Sequence, residues 1–151
     1  MKFYLKENQG ALIIDILVGL AIIALLSTIS LPYLKKYQPN LKLNSTARNL
    51  TADLRYAQQL TITEQVVHKV SFNLANDQYQ ILKVNTATTT IKTVAFEPEV
   101  SYQQVTGLTD NMVVFNYYGG VSESGQVRLI NTNGSTATIN IKPSGYVQLE
   151  Q

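Results

Sequence analysis

One uninterrupted apolar stretch, residues 11–31, constrains this chain more than anything else in it. At a helical rise of about 1.5 Å per residue, its roughly 21 residues extend about 32 Å. That matches the roughly 30 Å hydrocarbon core of a bilayer, so the run reads as a single membrane-spanning helix. Gly10 precedes it, Pro32 follows it, and one acid, Asp15, sits inside it. A carboxylate deep in a membrane helix costs on the order of 2.5–3.5 kcal/mol on insertion scales, and such residues are rare and usually functional. The surrounding Leu, Ile and Val outweigh that cost, so insertion is expected, but Asp15 needs a reason to be there.

A secretory signal peptide explains the run poorly, because its apolar region is only 7–15 residues long and ends in a small-x-small cleavage site. A plain signal anchor fits length and hydropathy but leaves Asp15 and the Gly10 junction unexplained. The combination is more specific. A polar leader with Lys2 and Lys6 ends in Gly10, an apolar helix begins at once, an acid stands five positions on and a proline twenty-two. This arrangement resembles the class III signal of type IV pilins and type II secretion pseudopilins. The resemblance implies cleavage by a prepilin peptidase after Gly10 and N-methylation of Ala11 as the new terminus. It also implies that Asp15 neutralises a neighbouring subunit's terminal amine in the filament, and that Pro32 kinks the helix. The family usually carries Phe at the Ala11 position and Glu at the Asp15 position; Asp is one methylene shorter. The implied partners are the peptidase, major and minor pilins or pseudopilins, the inner-membrane assembly platform and membrane lipid.

The resemblance divides the chain into a leader (1–10), a transmembrane helix (11–31), an amphipathic continuation (32–65) and a β head (66–151). Lysine counting does not orient it, since Lys2 and Lys6 flank one end of the run and Lys35, Lys36 and Lys42 the other. Only the resemblance places the leader in the cytoplasm and the head outside, as a single-pass inner-membrane protein that later enters a pilus or pseudopilus.

Beyond Pro32 the apolar period becomes helical. Leu34, Tyr37, Leu41, Ala47, Leu50, Leu54, Ala57 and Thr61 recur every three or four residues, with Arg48, Asp53 and Arg55 off that face. Pro39 lacks a donor N–H and is expected to kink or break the helix near Gln38. From Val66 the period drops to two. Strands are expected over residues 66–73, 79–84, 90–96, 112–116, 125–130, 136–141 and 146–149, with a weaker one over 100–105 after Pro98. Asn133-Gly134 is a strong hairpin turn, since both residues tolerate positive φ. The expectation is an α+β pilin fold: a long N-terminal helix, its first half in the membrane and its amphipathic second half on an antiparallel sheet. The segment from Ala47 to Gln59 and the ending Gly-x-Val-x-Leu…Ile-x-Ile-x-Pro-x-Gly-x-Val are similar to the GspH/FimT group of minor pseudopilins and minor pilins.

Chemistry in the head finds little support. With 151 residues and no cysteine, the chain has no disulfide, Cys-metal or thiol redox site. His68 is its one histidine, alternates with valines and reads as a half-buried strand residue rather than a catalyst. No phosphate-binding glycine loop is present, no cofactor is implied, and the chain reads as a structural subunit, not an enzyme. Asn73, Asn76 and Asp77 could offer oxygens to Ca²⁺, but a turn uses the same residue types, so no metal site is assigned. Tyr117-Tyr118 reads as packing rather than a ligand platform. Beyond Pro39 acids and bases balance, which leaves no electrostatic footprint for nucleic acid. Some FimT-like minor pilins bind DNA through Gly-Arg-x-Arg near the C terminus. The matching place here is Gly145-Tyr146-Val147-Gln148, without either arginine. Phosphate contacts need Lys or Arg, so DNA is disfavoured. The alternatives that stay open are a competence-pilus minor pilin binding nucleic acid at the tip, and a plain membrane-anchored domain.

Overall fold

The computed structural model describes the backbone of residues 9–150, and the side chains of residues 13–28 and 35–150. The expected leader lies outside these except at its end. The chain divides into two compact units, Met1–Tyr37 and Gln38–Gln151. One helix, α1 (Gln9–Glu64), contributes residues to both.

In the first unit the large apolar side chains between residues 13 and 26 are all more than half exposed. Ser27 and Thr28 turn their hydroxyls back onto the carbonyls of Ile23 and Ala24, at 2.8 and 2.9 Å. Both polar groups are thereby satisfied inside the helix. Among the described residues, no helix is long and apolar enough to cross a membrane. The two ends of the expected span, residues 11–12 and 29–31, have side chains outside the described ones.

Pro39 does not break the helix, contrary to expectation: α1 runs through it without interruption. The missing N–H removes one backbone bond, and the ring is buried. In the second unit α1 buries Leu43, Ala47, Leu50, Leu54, Ala57 and Thr61, a spacing of four and three along one face. The expected stripe began too early, because Tyr37 and Leu41 are 56 % and 51 % exposed. The helix ends one residue before the expected boundary. Gln65 takes φ 53°, a left-handed conformation that closes helices, and its side-chain amide donates to the Ile62 carbonyl at 2.7 Å.

The strands are β1 (Val67–Asn73), β2 (Gln78–Val84), β3 (Thr88–Ala95), β4 (Val100–Thr106), β5 (Met112–Phe115), β6 (Gly125–Asn131), β7 (Thr136–Ile141) and β8 (Val147–Glu150). They form two four-stranded antiparallel sheets, β3-β2-β1-β5 and β4-β6-β7-β8, where a single antiparallel head was expected. The expected weak strand, β4, leaves the first sheet and pairs with β6. In β1, β6 and β7 every second residue is buried, the alternation of a sheet with one face on a core. The turn between β6 and β7 is wider than a two-residue hairpin. Asn131 and Ser135 close it (N···O 3.0 Å), and of the Asn133-Gly134 pair only Gly134 has positive φ, +80°. That is a three-residue loop ending in a left-handed glycine.

One core joins α1 to both sheets, with Val70, Ile81, Val113 and Phe115 from one and Val127, Leu129, Ile139 and Val147 from the other. Asp77, in the β2 side of the first turn, accepts a hydrogen bond from the Tyr102 amide of β4 at 2.9 Å. Phe72, Tyr102, Phe96 and Tyr79 form a continuous run of ring contacts 4.5–6.2 Å apart.

Gly145 sits where three segments converge. Its φ is +77°, and a Cβ there would overlap the Gly119 carbonyl oxygen and come within 2.5 Å of the Gln58 amide nitrogen, which itself donates to Gly119 at 2.6 Å. Left-handed backbone at a residue other than glycine costs roughly 1–3 kcal/mol, and the overlap adds to it. Gly145→Ala is therefore expected to lower the urea midpoint of the detergent-solubilised chain, followed by tyrosine fluorescence. An unchanged midpoint would mean that the loop relaxes freely.

Candidate functional site

The residues singled out at the N terminus fall on one helix. Gly10 and Ala11 lie in the first turn of α1, and Pro32 lies within it; the side chains of Ala11 and Pro32 are outside the described ones. Asp15 is exposed between Ile14 and Ile16, themselves about 60 % exposed. Among the described residues it has neither an ion pair nor a hydrogen bond.

In the head the best-connected acid is Asp53, which the helical pattern put off the packed face. It is nearly buried. The Tyr79 hydroxyl donates to its Oδ2 at 2.6 Å, and Lys92 Nζ donates to both oxygens at 2.8 and 2.7 Å. One helix residue therefore holds β2 and β3 together. The sequence carried no sign of this, since an acid flanking an apolar stripe ordinarily faces water. On the other sheet, Arg55 donates to the Val147 carbonyl at 2.8 Å and Asn40 accepts from Asn131 at 2.7 Å. These are structural ties.

His68 is fully buried on β1, deeper than the half-burial expected. Its Nδ1 lies 2.8 Å from the Val66 carbonyl and 3.2 Å from Thr61 Oγ1. Its Nε2 is 3.5 Å from Glu64, whose carboxylate is held by Lys83 at 2.7 Å. Lys83 keeps the Glu64 carboxyl below the usual range. Thr61, His68 and Glu64 have the order of a nucleophile–base–acid series, but not its function. The Thr61 hydroxyl donates to the Ala57 carbonyl at 2.9 Å and is buried away from any substrate.

The Asn73 and Asp77 side-chain oxygens each accept hydrogen bonds. Asn73 Oδ1 caps the amides of Ala75 and Asn76 at 3.2 Å, and Asp77 serves Tyr102. Among the described residues no group of three or more acids or histidines could hold a metal. Tyr117-Tyr118 does not pack as expected, since Tyr118 is 95 % exposed. Asn116 builds the turn that presents it, accepting from the Tyr118 and Gly120 amides at 3.0 Å. At the C-terminal place where the DNA-binding pattern would sit, Lys142 lies 5.6 Å from the centre of the Tyr146 ring. Shallow hollows of about 210, 290 and 350 Å³ mark the head surface, at the small end of ligand sites.

Burial, and secondarily the Asp53 carboxylate, pushes the Tyr79 phenol far above the ordinary tyrosine range; burial with Asp77 does the same to Tyr102. A proton held more tightly in the folded than in the unfolded chain stabilises the fold fully below the unfolded pKa of about 10. Above it that contribution is lost. The expected result is alkaline unfolding starting above about pH 10, with two of the nine tyrosines ionising only as the head unfolds, read by tyrosinate absorbance. Nine tyrosines titrating together in the folded chain would refute it.

No known family profile matches the sequence, and no curated protein does. Solved structures do match. The minor pseudopilin EpsH of the type 2 secretion system of Vibrio cholerae superposes with a TM-score of 0.63 at 8 % identity, over 72 % of this chain and 96 % of that one. The type IV minor pilin FimU of Pseudomonas aeruginosa does so with a TM-score of 0.61 at 15 % identity, over 76 % of this chain and 92 % of that one. The chain has the α+β fold shared by a minor pseudopilin and a minor pilin, a GspH/FimT-like pilin fold.

Proposed function

We propose that this chain is a minor pilin or minor pseudopilin, a structural and non-enzymatic subunit of a type IV pilus or type II secretion pseudopilus. The observation that carries this reading is the coexistence of two independent features in one chain. A prepilin-type junction, Gly10 with Asp15 in an apolar run, stands on the same helix that forms the core of a pilin-fold head. In this reading prepilin peptidase cuts after Gly10, Ala11 is N-methylated, and residues 11–31 hold the subunit in the inner membrane with its head outside the cytoplasm. The helix then passes from the assembly platform into a filament of other pilins or pseudopilins, bending at Pro32.

Asp15 acts in the transfer. In hydrocarbon its charge is costly unless paired, and a neighbour's terminal amine supplies the pairing, so correct axial register is the arrangement that removes the penalty. A nucleic-acid role at the tip has less support. Arg55 is engaged with a backbone carbonyl and Lys142 with an aromatic ring, and the C-terminal Gly-Tyr-Val-Gln supplies no arginine.

The direct test is the mass of the N-terminal peptide of protein isolated from its own host's membranes. N-methylated Ala11 is expected; an intact Met1 beside an active peptidase would make the chain an ordinary anchored domain. Asp15→Ala is expected to insert and to be cleaved normally while entering filaments roughly tenfold less well, a loss of about 1.4 kcal/mol, read by quantifying the subunit in sheared filaments. Equal incorporation would remove the role given to Asp15.

A further inference from the structure

His68 is the one histidine of the chain, and there is no cysteine. It is therefore the side chain whose ordinary titration falls between about pH 5 and 8, and it is fully buried on β1. Burial ordinarily holds a histidine neutral, with one ring nitrogen donating and the other accepting. The partners of His68 do not fit that division. Nδ1 lies 2.8 Å from the Val66 carbonyl oxygen, which can only accept. Thr61 Oγ1, its other neighbour at 3.2 Å, already gives its proton to the Ala57 carbonyl. Nδ1 therefore carries a hydrogen.

Nε2 is buried, has no hydrogen-bond partner among the described residues, and faces Glu64 Oε2 at 3.5 Å. That carboxylate is kept ionised by Lys83 at 2.7 Å, and an ionised carboxylate also only accepts. A neutral ring would leave the Nε2 lone pair buried against a negative oxygen. A ring with hydrogen on both nitrogens satisfies every member of the set. The charges around it come from two elements. Glu64 belongs to the last turn of α1, which holds no basic residue and whose free carbonyls favour a cation. Lys83 stands opposite His68 on β2. On the other side β5 sets Phe115 opposite the ring, and Lys69 points to the far face of β1 by alternation. Burial and the Lys83 ammonium oppose a charged imidazole. Lys83 is partly exposed, where water weakens its reach, whereas a carboxylate and a carbonyl face the ring directly.

We propose that His68 is a proton-binding site built into the head: Nε2 takes up a proton and donates it to Glu64, fastening the end of α1 to β1. The Glu64 carboxylate is then shared by two cations, His68 on β1 and Lys83 on β2, so one helix residue holds both strands. Loss of the proton leaves Glu64 with Lys83 and returns Nε2 to a buried acceptor without a donor. The junction where the helix hands over to the sheet is thereby made sensitive to pH. The inference is independent of whether the chain enters a filament.

A single histidine makes the test direct, because ¹⁵N-histidine labelling of the full detergent-solubilised chain gives one imidazole to follow by NMR. At about pH 6.5, where a free imidazole is half charged, the folded chain is expected to show more doubly protonated ring than the same chain unfolded in urea. Glu64→Gln removes the negative charge and offers Nε2 an amide donor, so it is expected to weaken proton binding about tenfold, one pH unit in the midpoint. Lys83→Met removes the competing cation and is expected to move the midpoint the opposite way. A folded state that binds more protons than the unfolded one loses stability as pH rises. The urea midpoint is therefore expected to fall between about pH 6 and 8, and Glu64→Gln to flatten that fall. A folded ring less charged than the unfolded one, a midpoint unmoved by Glu64→Gln, or Lys83→Met acting in the same direction as Glu64→Gln would overturn the proposal.

Discussion

The second unit depends on one packing constraint: two sheets with a single apolar face each, and one helix able to cover both. A four-stranded antiparallel sheet alternating buried and exposed positions cannot be stable with its apolar face in water. Leu43, Ala47, Leu50, Leu54, Ala57 and Thr61 provide the surface that closes the core. The small residues matter as much as the leucines. Ala47 and Ala57 are wholly buried, and Thr51 and Thr61 return their hydroxyls to the helix's own carbonyls, at 2.8 and 2.9 Å. The helix can therefore approach the strands closely with these two hydroxyls satisfied, although the buried Thr46 hydroxyl has no hydrogen-bond partner among the described residues. Its polar ties flank that seam: Asp53 reaches β2 and β3, Arg55 reaches β8 and Asn40 reaches β6.

What periodicity encodes was legible. A shift from a helical period to a period of two marked the end of α1 to within a residue, and each of the eight strands was found within a few residues of its bounds. What depends on three-dimensional company was not. Nothing local distinguishes β4, which joins the second sheet, from β5, which returns to the first. Leu41 and Leu43 are equal in hydropathy, and only the position of the sheets decides which one is buried. Asp53 reads as a surface acid until Tyr79 and Lys92, contributed from 26 and 39 residues away, give it a reason to be inside. Pro39 should kink or break a helix locally, yet α1 runs through it with the ring buried. Tyr117-Tyr118 has the composition of a core pair, but the Asn116 turn presents it to solvent. Of the candidate site, Gly10, Ala11, Asp15 and Pro32 stood out only through a resemblance in spacing, and no contact among the described residues bears on the roles proposed for them.

The similarity to EpsH and FimU at 8 % and 15 % identity shows how few positions such a fold requires. Period, small residues under the helix and glycine at tight approaches suffice, and the remaining surface is free to diverge. A secretion pseudopilin and a pilus subunit can thus share an architecture at low sequence identity. In this chain that surface is nearly neutral and rich in Thr, Asn, Gln and Tyr.

The order in which the chain visits its two sheets has a consequence for how the head acquires its structure. Three strands enter the first sheet, the fourth enters the second, the fifth returns to the first, and the last three complete the second. Neither sheet is finished before the other has begun, so no N-terminal fragment ending before β6 has a complete partner for β4. Many contacts also join residues far apart in sequence, a topology that slows folding. A head delivered progressively, N terminus first, would remain unlocked until its last strands arrive, and would then form in one cooperative step.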